Sequence, residues 1–465
     1  MKTNKTTLLL AGAAFAGLML SACVSRNQSP PPDGCSGSGR GAGGSNSTVG
    51  GNKEGTPPGK DGGTSGVGTT ISHELPEPGP IDPFMDKAIE YLVAAQHENG
   101  GWGGGSHTAQ DIRDPHAVQV DPGSTSFAAM ALMRAGHTPF SGKYSDSVLK
   151  ATKYVVSAVE EAAEDGPRIT KLEGTQLQTK LGQIIDTSMA SQFLARVLPL
   201  AEPDKVLQAR IERALDKCIR KIESSQGEDG GWTTQGWAPV LQSSMNNQAL
   251  ELAQVAGRDV DDKVMKRSRE YQRRDVDAST GNVGGAKAGD AAGVSFYAGA
   301  ATQRATAKDA TEAERAVEQA KEKGVLPPSA RVEAETLAKI GYSADEARDK
   351  AEAYQQNDAL RKRLDDENYL SGFGNNGGEE FISYMMSSES IVITGGETWD
   401  KWNKKMHTMF EKIQNADGSW SGHHCITSPV ICTAAALLCL TADRDVHVLI
   451  ETSPLVKADK KSEES

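Results

Sequence analysis

A short pattern of glutamine, an acidic or amide residue, glycine and tryptophan occurs three times in the chain. It reads QHENGGW at residues 96–102, QGEDGGW at 226–232 and QNADGSW at 414–420. In each copy the glutamine (Gln96, Gln226, Gln414) stands six residues before the tryptophan (Trp102, Trp232, Trp420). One pattern recurring at one spacing marks an internal repeat, and a repeat restricts a chain to folds that stack a single supersecondary unit.

The flanks identify the unit. Before each turn, AIEYLVAAQ, CIRKIESSQ and MFEKIQ carry apolar residues at three- and four-residue spacing, the mark of a helix with one wet face. After each turn, STSFAAMALMRAG, SSMNNQALELAQVAG and TSPVICTAAALLCL are rich in small residues and poor in charge, as helices packed on both sides would be. Glycines at Gly136, Gly257 and Gly341 are placed to cap a helix and lead into the next charged one. Weaker pairs fill the gaps: residues 151–163 with 186–198, 263–274 with 293–303, and 344–364 with 379–393. The expectation is an all-α protein of about six or seven helical hairpins in two layers, charged helices outside and uncharged ones inside.

The three turns are similar to the QW-type repeats of squalene and oxidosqualene cyclases and to the glycine-aromatic repeats of protein prenyltransferase β subunits. That resemblance implies an α/α toroid, a double ring of helical hairpins around a central cavity. The family's chemistry is harder to place. A class II cyclase protonates its substrate with a DxDD aspartate, and Asp259-Val260-Asp261-Asp262 has those letters. These residues stand where an outer helix begins, however, so capping and the helix dipole explain them. Cyclases also stabilise carbocations on aromatic faces. With aromatics at 5% of the chain, the inner segments offer only Phe127, Phe193, Phe296, Tyr297, Phe381 and Tyr384. Prenyltransferases hold zinc with an aspartate, a cysteine and a histidine, and no Asp-x-Cys opens an inner helix here.

Just after the last turn stand residues with no counterpart in the other copies: His423, His424 and Cys425, with Cys432 further on. Imidazole and thiolate suit zinc, so these four are the metal candidates. A disulfide between Cys425 and Cys432, or plain burial of small residues, accounts for the cysteines equally simply. Asp121 and Asp186 each head an inner segment beside hydroxyls, where capping is the first explanation and a catalytic acid facing a cavity the second. Glu379 and Glu380 read as a solvated charge cluster at the rim, or as an acid/base pair there with His423 as a further candidate.

The amino terminus carries an address. Lys2 and Lys5 precede an apolar run over residues 8–20, too short to span a bilayer but suited to a secretory signal. Leu20-Ser21-Ala22-Cys23 resembles the lipobox of bacterial lipoproteins, which implies cleavage of residues 1–22 and acylation of Cys23. Several acyl chains would anchor the protein to a membrane. Val24 then favours the outer membrane, with the folded part facing the periplasm or the exterior. Residues 23–80 are Gly, Ser and Pro-rich, unable to bury a core, and form a tether of roughly 40 Å mean reach. The toroid is expected over residues 81–448, and residues 449–465 form a charged tail. A net charge of -12 argues against nucleic acid as a partner. The function expected from all this is a lipid-anchored envelope protein whose toroid binds a small hydrophobic ligand or a protein. A divergent terpenoid cyclase or prenyltransferase and a polysaccharide-active toroid enzyme are the rivals.

Overall fold

A computed structural model of the chain describes residues 76–233, 236–284, 291–372 and 377–451. Cys23, Cys35, the signal, most of the tether and most of the charged tail lie outside the described residues. The described residues belong to one compact unit, residues 69–465.

Among them the structure is all-α, with sixteen α-helices and no strand. The first eight are α1 (Pro83–Ala94), α2 (Pro122–Arg134), α3 (Ser145–Glu161), α4 (Gln176–Leu181), α5 (Ile185–Val197), α6 (Lys205–Ser224), α7 (Pro239–Val255) and α8 (Asp262–Arg273). The rest are α9 (Ser295–Glu322), α10 (Ala334–Lys339), α11 (Ala344–Arg363), α12 (Glu367–Leu370), α13 (Gly378–Thr394), α14 (Gly396–Ile413), α15 (Pro429–Leu440) and α16 (Val446–Glu451).

The two helix characters expected from the sequence are both present. In α6, Leu207, Ile211, Leu215, Cys218 and Ile222 form one buried stripe, and Asp204 caps the helix by accepting from the Leu207 N–H at 3.0 Å. By contrast α15 is buried at every position, because Ala434, Ala435 and Ala436 let neighbours approach from all sides. Helices α2, α5, α7 and α13 are also buried almost throughout. Asp261 caps α8 by accepting from Lys263 N–H at 2.8 Å, so the DxDD-like letters serve the helix start. Helix α9 runs far past the expected 293–303 window. Its second half joins α10 and α11 around a separate small cluster that includes Val317, Leu326 and Leu337.

The three repeated turns make the same bonds. The glutamine amide donates to its own turn, from Gln96 to Gly100 O (2.8 Å), from Gln226 to Gly230 O (2.9 Å) and from Gln414 to Gly418 O (2.8 Å). It also donates to a different outer helix, at Ser147 O in α3, Val264 O in α8 and Phe84 O in α1. The tryptophans are fully buried, and each indole N–H reaches the carbonyl ten residues back: Leu92 (2.7 Å), Ile222 (2.9 Å) and Phe410 (2.9 Å). Each tryptophan N–H donates to a hydroxyl of the following buried helix, on Thr125, Ser243 and Thr433. The glycines sit at φ 86°, 87° and 88°, conformations that residues with a Cβ avoid. One motif therefore joins three helices at every occurrence, and its last copy joins α14 and α15 to α1.

The buried helices pack in order: α2 on α5, α5 on α7, α7 on α9, α9 on α13, α13 on α15, and α15 on α2. A single ionic network touches all six, in the last turns of α2, α5 and α15 and further from the ends of α7, α9 and α13. Arg134 of α2 bonds Glu389 of α13 (2.6 Å), Asp445 (2.7 Å) and Leu438 O of α15 (2.7 Å). Arg196 of α5 also holds Asp445 (2.9 Å), while Gln248 of α7 (3.0 Å) and Arg304 of α9 (3.3 Å) reach the other oxygen of Glu389. Arginine suits this role because its charge persists on burial and its fork engages several acceptors. The first described residues are fastened at the same end, where Gly79 N–H donates to Asp443 (2.7 Å) just beyond α15.

Candidate metal centre

The opposite, amino-terminal ends of the buried helices carry the chemistry. The loop before α15 is clamped there from several sides. Gln176 of α4 accepts from the N–H groups of Thr427 (2.7 Å) and Ser428 (3.0 Å), and Arg113 donates to Thr427 O (2.7 Å) and Gly422 O (3.1 Å). Gly378 N–H donates to Ile426 O at 2.9 Å. The approach is close enough that a Cβ on Gly378 would stand 2.4 Å from the Ile426 side chain. Held this way, Cys425 takes φ 63°, a conformation that costs a non-glycine residue about 1–3 kcal/mol and persists only where the surroundings enforce it.

The clamp brings Cys425 and His424 to Glu379, the second residue of α13. One ligand atom from each lies within 4.8 Å of the other two. Glu379 is 3% exposed, and its Oε2 has no hydrogen-bond partner. A buried, unpartnered carboxylate oxygen is costly. Burial, reinforced by Glu380 and opposed by Lys180, pushes the Glu379 carboxyl up to about 7. Burial likewise pushes the Cys425 thiol up to about 11, with Glu379 adding and Lys180 opposing. Cysteine, histidine and carboxylate together form a donor set suited to zinc.

Several sequence expectations are corrected here. Glu379 and Glu380 are not a solvated rim cluster: both are buried, and Glu380 is committed to Tyr297 OH (2.9 Å) and Gly377 N–H (2.8 Å). His423 is exposed and stands apart from the three donors. Cys432 faces inward in α15 with its thiol near Ile426 O (3.8 Å), and neither it nor Cys425 is in a disulfide. Of the four expected ligands, only His424 and Cys425 belong to the cluster, and Glu379 completes it. An acid pair heading an otherwise uncharged stretch, EEFISYMMSS, was the available signal for that third donor.

Asp121 and Asp186 do meet, both completely buried, and each bonds the backbone at the head of α2. Asp121 caps α2 through Ser124 N–H (2.7 Å) and accepts from Gly104 N–H (3.0 Å). Asp186 does not cap its own helix. It accepts from Gly123 N–H of α2 (3.1 Å) and from Gln178 Nε2 (2.7 Å). Burial raises both carboxyl groups, and Asp121 raises Asp186 further.

Two neighbours of the donors carry no sequence motif. Lys180, near the end of α4, is 1% exposed and lies 3.3 Å from the ring centroid of half-exposed Trp237. The ring of His107 stands 6.0 Å from the same tryptophan. Neither was legible beforehand, because only the fold brings these segments together.

No protein-family model matches the chain, and no curated protein matches it. Function is therefore argued from the site.

Proposed function

We propose that the protein is a lipid-anchored envelope protein whose helices form an α/α toroid carrying a zinc centre at one end. The cyclic order of packing, from α2 round to α15 and back, supports the toroid. So does the bond from Gln414 to α1. The observation that carries the zinc centre is the unpartnered Glu379 oxygen buried beside His424 and Cys425. Zinc with three protein ligands keeps a position for a fourth, where it binds and polarises an oxygen donor. Glu379 and Cys425 would supply the negative charge, and the clamped loop would hold His424 and Cys425 without movement on binding.

An isoprenoid substrate finds less support. Phe296, Phe381 and Tyr384, expected as cavity lining, pack with one another and with Phe410 of α14 and Tyr369 of α12. They fill the joint between layers. Where all six buried helices meet, the side chains are Arg134, Glu389, Arg196, Gln248 and Arg304.

The test is metal content of the mature chain from envelope fractions, measured by inductively coupled plasma mass spectrometry. One zinc per chain is expected, lost in Glu379→Gln and Cys425→Ser and kept in His423→Ala. A wild-type protein that takes up no zinc at equilibrium, or a His423→Ala loss equal to that of Cys425→Ser, sinks the proposal.

A further inference from the structure

We infer that the cleft between α3 and the strap of residues 162–175 binds a short extended peptide with free ends, its ammonium toward Glu161 and its carboxylate toward Lys153. The inference is independent of the metal centre and would survive its failure.

The cleft encloses about 980 Å³, the size of a site that takes a small molecule. One wall is a face of α3, where Lys153, Ser157 and Glu161 follow one another at four-residue spacing. From Lys153 to Glu161 that face rises roughly 12 Å. The other wall is the strap, and small residues at Ala158, Ala162, Ala163 and Gly166 keep the space between them open. Tyr154 and Ile169 give its middle an apolar lining.

The strap is fastened from behind through its carbonyls. Lys217 donates to Ala162 O (2.6 Å), Lys221 to Asp165 O (3.2 Å) and Gly166 O (2.9 Å), and Gln178 to Leu172 O (2.9 Å). Thr187 Oγ1 donates to Pro167 O between them. By contrast the N–H groups of residues 168–171 have no acceptor among the described residues. A peptide laid along such an edge bonds it through its own carbonyls, as an added strand does. Those bonds are alike for most residue types, so charge at the two ends has to fix where the peptide stops.

The cleft supplies that charge. Arg168 pairs with Glu173 within the strap, and Lys150 pairs with Asp146 (2.7 Å). Just outside, Glu160 and Glu164 are taken by Arg210 and Lys217. Lys153 and Lys171 are left against Glu161 and Asp165, and none of these four forms an ion pair among the described residues. The remaining charges cancel in sum, yet Lys153 and Glu161 stand two helical turns apart. A ligand that suits this arrangement carries one charge of each sign and no net charge. At about 3.3 Å per extended residue, the separation matches a chain of about four residues.

Tetraalanine is the probe, titrated into the full mature chain and followed by saturation-transfer NMR of its methyl groups. Saturable binding is expected, with dialanine about fivefold weaker or more because it cannot reach both ends. Acetylating the amino end or amidating the carboxyl end should each raise the Kd by about three- to fivefold, the range of a solvent-exposed ion pair. Lys153→Gln and Glu161→Gln should do the same, and both side chains are exposed, so neither variant should disturb the fold. The losses should pair off. Amidation should cost nothing further in Lys153→Gln, and acetylation nothing further in Glu161→Gln, while the crossed combinations add. Tetraalanine that does not bind, a peptide blocked at both ends that binds as well as the free one, or losses that add in every combination overturns the inference. None of these results bears on Glu379, His424 or Cys425.

Discussion

The bond that fastens the last repeated turn to α1 can be tested by adding one methyl group. In Gly418→Ala the new Cβ meets two costs. At φ 88° an alanine occupies the left-handed region, which costs roughly 1–2 kcal/mol. The same Cβ would also stand 2.6 Å from Lys87 O and 2.8 Å from Lys87 C, both backbone atoms of α1 that cannot rotate away. Forcing that helix outward is overpacking, at about 1–3 kcal/mol. Gly257→Ala isolates the first cost, since Gly257 has φ 76° and nothing within 4 Å of the added atom. Urea denaturation of both variants should therefore place Gly418→Ala below Gly257→Ala by about 1–3 kcal/mol. The deficit should be matched by Gly230→Ala, whose Cβ would stand 2.4 Å from Arg267 O. Equal midpoints and slopes for Gly418→Ala and Gly257→Ala would refute the docking of the last turn on α1, and with it the proposed closure of the helices into a ring.

Trp420→Ala should cost about 3–5 kcal/mol in the same assay, because it empties a fully buried site and strands the Phe410 carbonyl that accepts its N–H. Arg134→Met should cost a similar ~3–5 kcal/mol by leaving Glu389 and Asp445 short of a cation, and Arg134→Met with Glu389→Gln together should cost less than the sum of the two, as a double-mutant cycle would report. The metal-free protein should lose stability as pH rises. A carboxyl raised to about 7 binds its proton more tightly when folded, so Glu379 contributes most below its ordinary value near 4.5, and up to about 3 kcal/mol disappears as pH climbs through 7. Glu379→Gln should flatten that slope in pH-dependent melting curves; an unchanged slope would assign it to other groups. Cys23→Ser should abolish detergent-phase partitioning, and a cleaved Cys23→Ser protein that stays in the membrane would contradict acylation as the anchor.

The helices and the turns that join them were legible because their causes are local. Apolar spacing in AIEYLVAAQ and CIRKIESSQ, small residues in TAAALLCL, and a glycine before each tryptophan are properties of neighbouring residues, and backbone sterics act over that same distance. Asp261 as a helix cap was readable for the same reason. Long-range pairing was not. The uncharged stretch after Glu379 and Glu380 marked a buried helix, but nothing near them in sequence named a partner for either acid; the position of Glu379 was decided by Gly378 packing against Ile426, which brings a loop nearly fifty residues away onto the head of α13. Cys432 and His423 were drawn into the expected site by adjacency in sequence, yet the helix turned one inward and the loop turned the other out. Lys180 carried no motif, and Trp237 became its partner only when α7 folded against α4. Sequence by itself determined which segments are helices and where they turn, because those choices depend on short-range geometry. The tertiary structure decided which side chains are neighbours at the site, because burial and charge compensation depend on every segment that arrives there.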